Sequence, residues 1–159
     1  SAGHCLLLEE EKFEHPLLKQ RHADELYIWK ASDTFMDTLI ADLNDFGYTG
    51  MVTEIGGLKR PLKIIAADHV QLTHQFGAVQ GEGKIPFDQL TGRSLLLMAE
   101  RLSQNFLETP ADYLSRQEDM ALFAYMIEDW DVAKSAGEKV EGEFFHGLWS
   151  RIFVPERRF

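Results

Sequence analysis

The stretch YTGMVTEIGGLKRPLKIIAADHVQLTHQFGAVQGEGKIPF, residues 48–87, decides the fold. It divides into short runs rich in β-branched and aromatic residues, YTGMVTEI, PLKIIAA and HVQLTHQF, separated by GGLKR and GAVQGEGK. Runs of this kind, punctuated by glycine, read as an antiparallel meander. In HVQLTHQF, Val70, Leu72, His74 and Phe76 fall on one side, while His69, Gln71, Thr73 and Gln75 fall on the other. That alternation is the period of a half-buried strand. The glycines of GAVQGEGK are expected to supply positive φ at a turn.

A break near Ala67–His69 would put GGLKR and GEGK at one end of the sheet. Lys59, Arg60 and Lys84 then become candidates for contacting an anion. One continuous strand over residues 62–78 would separate them. Because strands usually run about five or six residues, the break is favoured.

Outside the meander the apolar period changes to three and four. SDTFMDTLIADLNDFG (32–47) spaces Met36, Leu39, Ile40, Leu43 and Phe46 along one helical face, with Ser32 or Asp33 as cap and Gly47 as exit. Upstream, HPLLKQRHADELYIWKA has two readings: Pro16 opens a helix, or Leu26–Trp29 belong to a strand. Downstream, RSLLLMAERLSQNFL puts Leu95, Met98, Leu102 and Phe106 on one stripe. Thr109 and Pro110 mark a helix start, and SRQE at 115–118 is a second capping-box match. MALFAYMIEDWDVAK reads as one helix ending near Gly137. EFFHGLWSRIF stacks Phe144, Leu148 and Ile152 on one line, with Phe145, Trp149 and Phe153 beside it. Strands grouped between helix-rich flanks predict an α+β fold: a small antiparallel meander covered by N- and C-terminal helices, one domain over 1–159 with no internal boundary.

Composition limits the function. The formal charge is −10. It opposes docking on a phosphate backbone or an anionic membrane, so no nucleic-acid or membrane partner is expected. Residues 1–45 carry ten acids against four bases and residues 112–143 carry nine against three, whereas 46–111 are balanced at six each. No apolar run approaches the roughly 20 residues of a membrane span, and no secretory signal is evident. The first residue is Ser1, which leaves an upstream leader open. A single cysteine, Cys5, precludes an internal disulfide and fits a soluble protein of the reducing cytoplasm.

Catalytic signatures fail one by one. Aligned on Gly83-Lys84, a Walker A loop would need glycine where Ala78 stands and a hydroxyl where Ile85 stands. The dinucleotide fingerprint lacks its third glycine. His69 and His74, five apart, point to opposite faces of a strand. EFFH (143–146) supplies one Glu-x-x-His where a di-metal bundle needs two. No metal or cofactor is therefore expected. TGRSL (91–95) is not a nucleophile elbow, and Cys5 lies in a terminus. His74 is the weak catalytic candidate, an imidazole on an apolar face, although Asp68 is beyond direct reach along one strand.

Interaction residues are better supported. EDWD (128–131) would put Glu128 and Asp131 one turn apart late in a helix, where carboxylates oppose the dipole and invite a basic partner; Asp129 belongs to the same cluster. Trp149, Arg151 and Phe153 have the side-chain types that dominate interfaces. The leading expectation is a non-enzymatic protein-interaction module with an acidic helical surface, of an inhibitor or immunity type, binding a basic partner. Two alternatives stand beside it: a small enzyme or ligand-binding domain with a pocket near His74, and a homo-oligomer, such as a homodimer, formed through the aromatic C-terminal helix.

Overall fold

The computed structural model describes residues 15–77 and 80–153; Cys5, Ala78 and the tail after Phe153 lie outside the described residues. A single helix, α1 (Pro16–Phe46), opens the described chain. Pro16 takes the first helical position and the His15 imidazole accepts from the Leu17 amide, so the start lies well upstream of Ser32 and Asp33. Ser32 is instead buried in mid-helix, where its hydroxyl donates to the Ile28 carbonyl at 3.0 Å. The helix reading of 16–31 prevails over the strand reading, and Gly47 leaves at φ 68° as the C-cap.

Four strands follow: β1 (Tyr48–Thr53), β2 (Lys59–Ala67), β3 (Gln71–Gln75) and β4 (Glu82–Pro86), in the order β1-β2-β3-β4. All neighbours are antiparallel. The expected break falls at Asp68, whose carboxylate accepts from the Val70 and Gln71 amides and closes the β2–β3 turn. Those two bonds hold its pKa below the usual carboxylate value. One sheet face is buried, with Val52, Leu62, Ile64, Leu72 and Ile85 joining the core. On the other face Thr49, Met51, Lys63, Gln75 and Lys84 are exposed among the described residues.

Helices α2 (Gly92–Ser103), α3 (Pro110–Met126), α4 (Trp130–Gly137) and α5 (Glu143–Ile152) complete the described fold, with short 3₁₀ turns at Phe87–Gln89 and Gln104–Phe106. α1 packs on β2, α2 and α3, and Phe35 stacks on Phe123 at 4.1 Å where α1 meets α3. Leu95, Met98 and Leu102 are buried as their spacing requires. The SRQE capping box is not used, because residues 115–118 lie inside α3. On α5 the buried pair is Phe145 and Leu148, while Phe144 stays 65% exposed against the edge of Tyr27.

The glycines at 81 and 83 do a different job from the one expected. Positive φ among the described residues belongs to Gly47, Gly57, Gly142 and Glu128. At Gly83 a Cβ would stand 2.6 Å from His74 Nε2 and 3.0 Å from Phe76 Cζ; at Gly81 it would stand 3.1 Å from Phe76 Cδ2. The two rings, perpendicular at 5.3 Å, lie across the β4 backbone, and glycine is needed for that close approach rather than for its dihedral freedom. Gly83→Ala should therefore destabilise by about 1–3 kcal/mol in denaturant unfolding. His74→Ala in the same chain should remove most of that penalty, and simple additivity of the two would contradict the packing account.

Candidate functional site

The helix expected through residues 120–137 is two helices. Ile127 amide donates to the Phe123 carbonyl, Glu128 to Tyr125 and Asp129 to Ala124. This pattern closes α3 with a left-handed residue. That residue is Glu128, at φ 62°, where glycine would be unstrained. Asp129 then caps α4 through the Val132 amide, and Asp131 lies in its first turn. The break reverses the electrostatics: both aspartates now sit where the helix dipole favours them.

The turn Ile127–Asp131 is also a partition. On one side lies a cleft of about 730 Å³ between the start of α1, the end of α3 and the end of α5. Leu17, Ile28 and Trp29 contribute apolar surface to it, and Gln20, Arg21 and Glu25 polar surface. On the other side, a shallower cleft of about 500 Å³ is lined by Gly92, Arg93 and the turn itself. Glu128 and Trp130 border both. Arg93 braces the turn, its Nη1 donating to both Asp129 oxygens at 3.0 and 3.2 Å. Gly92 lets Ile127 come close, since a Cβ there would be 2.6 Å from Ile127 Cδ1. Glu128 and Asp131 are exposed and make no ion pair or side-chain hydrogen bond among the described residues.

The other sequence candidates are placed elsewhere. Trp149 stacks between Phe145 (5.3 Å) and Phe153 (4.8 Å) and its ring covers Gly137. Arg151 donates twice to Asp24, both bonds at 2.8 Å, which raises its pKa further. These residues dock α5 on the rest of the chain. His74 is buried beneath Gly83 and lines neither cleft. His69 is exposed, and no group of three or more metal-ligating side chains occurs among the described residues.

Lys59, Arg60 and Lys84 do not converge. The two turns share an end of the sheet as expected, but Lys84 pairs with Thr73, which pairs with Ala66. Ala66 is seven residues along β2 from Lys59, or about 23 Å. Arg60 points to the opposite face from Lys59 and donates to Glu54 at 2.8 Å.

Two features had no signal in the sequence. Arg93, bracing Asp129 from 36 residues away, is one. The other is Asp119 on α3, packed near Asp42 and Thr38 of α1 and Ala99 of α2. Burial, with the adjacent Glu118 adding to it and Arg116 opposing, lifts its carboxyl to about 7. Nearby, burial and the Glu118 carboxylate that it hydrogen-bonds push Tyr27 above its usual value. The chain matches no protein-family model, no curated protein and no solved structure.

Asp119 gives a signed pH dependence. Its folded pKa lies above the unfolded one, so its contribution is full below about pH 4 and is lost as pH rises through about 7. Asp119→Asn should gain about 2 kcal/mol over wild type between pH 5 and pH 8 in thermal unfolding. Parallel pH profiles for the two proteins would contradict it.

Proposed function

We propose that the chain is a non-enzymatic protein-interaction module that offers the acidic turn around Glu128 and Asp131 to a basic partner. An inhibitor or immunity-type protein that occupies the basic site of a nucleic-acid enzyme is the concrete form of this reading, and the single cysteine suits a cytoplasmic one. The observation that carries it is Glu128. A glutamate held in the left-handed region costs about 1 kcal/mol relative to glycine. Its exposed carboxylate has no partner among the described residues to offset that cost. It stands on the ridge between two clefts, beside Trp130 and near Trp29, so a partner can bury apolar surface around the charge contact. With a net charge of −10, the chain also draws a basic partner by long-range attraction.

The immobilised chain should retain a basic protein at about 0.05 M salt and release it by about 0.5 M. Glu128→Lys with Asp131→Lys should abolish retention. Glu128→Gly separates binding from folding: it should raise Tm by about 2–4 °C, equivalent to about 1 kcal/mol at this size, while weakening retention. Capture that ignores salt, or that survives the double charge reversal, overturns the reading.

A further inference from the structure

We infer that the exposed face of the sheet is a second docking surface, and that it takes an acidic polypeptide segment lying extended along β2. This goes beyond the acidic-turn reading and uses none of its residues. The alternation and register put Lys59 and Lys63 of β2 and Lys84 of β4 on this face, with Thr49 and Gln75 flanking Lys63. All three lysines are exposed and none makes an ion pair among the described residues. The bulge between Ile64 and Ala66 rephases β2, so that Ala66 lies level with Thr73 and Lys84 on the same side. Against three lysines the outward positions of the four strands carry one acid, Glu82. The sheet region, residues 48–86, holds four bases and three acids in a chain of net charge −10. The outward strand positions are therefore net positive, on a chain that is net negative.

The spacing selects the ligand. Lys59 and Lys63 are four residues apart on one strand, about 13 Å, and Lys63 and Lys84 are separated by two strand spacings and a similar total distance. A single phosphate or carboxylate touches one of them at a time. An extended peptide puts same-side residues about 6.6 Å apart, so acids four positions apart match Lys59 and Lys63. Between them lies Pro61, which pairs with Met51, itself 53% exposed, giving apolar contact for an intervening side chain. The outward positions include no aromatic residue on which bases could stack, which favours a peptide over single-stranded nucleic acid.

The probe is a fluorescein-labelled peptide of about ten residues alternating Glu with Val or Thr, long enough to span Lys59 and Lys63 along β2 when extended. A Lys-for-Glu peptide and a single-stranded DNA of similar length are the controls. Anisotropy should show binding of the Glu peptide in preference to both. Lys59→Glu with Lys63→Glu should weaken it about tenfold or more, with the corresponding Gln pair intermediate and Tm unchanged in both variants. Amide shift changes should centre on Thr49, Met51, Lys63 and Thr73. Equal binding to wild type and the reversed pair, DNA bound as tightly as the peptide, or shifts mapping to the helices would each overturn the proposal.

Discussion

The structure depends on supporting one long helix along its whole length. The 31 residues of α1 span about 46 Å, more than any single partner element covers. β2 supports its C-terminal half, where Asn44 trades two hydrogen bonds with the Ala67 backbone. α3 and α5 support the rest. The supported face is not purely apolar: Asp24 and Asp42 are buried on it. Each is met by an arginine that donates twice, Arg151 from α5 and Arg116 from α3, and the Arg116 guanidinium also lies 3.4 Å over the Phe106 ring. Such pairs add little net stability over an apolar pair, because desolvation offsets the attraction. Losing one partner is another matter, since a buried charge left alone costs about 3–5 kcal/mol. The pairs therefore fix where α3 and α5 sit along α1 more than how tightly they hold.

This division explains what the sequence made legible. The meander was readable because its evidence is local: alternation over a few residues and a polar turn at Asp68. The stripe of α2 was readable for the same reason. Ser32 misled because serine before an apolar period resembles a cap, and nothing nearby shows that its hydroxyl bonds back to Ile28 inside a longer helix. The break at Glu128 was hidden because no glycine or proline marks it. The bonds to the Ala124 and Tyr125 carbonyls, together with Arg93, hold the break against the preference of glutamate. The fold class needed only short-range pattern. The candidate site needed contacts across tens of residues.

The glycine-rich segment shows the same limit at closer range. Its spacing departs from that of a nucleotide loop, and the reason for glycine at 81 and 83 is steric. Two aromatic rings from β3 and its end cross the β4 backbone, and their presence depends on strand pairing rather than on the turn. A glycine count cannot distinguish a positive φ from a close approach. Register can.

Charges that the fold accounts for are weaker evidence of function than charges it leaves over. Asp129 is spent on capping α4 and on Arg93, and Asp131 gains from the dipole of the same helix. Arg151 and Arg116 are spent on Asp24 and Asp42, and Arg60 on Glu54. Lys84 lies close enough to Asp68 to help hold that carboxylate ionised. Among the described residues, Glu128 on the helical side and Lys59 and Lys63 on the sheet are among the exposed charges that make no ion pair. They lie on surfaces of opposite sign, one a ridge between clefts and the other a flat sheet. A single partner would need both a basic, knob-like surface and an acidic, extended one to satisfy them together. Under the two proposals above, two separate partners ask less of the chemistry than one.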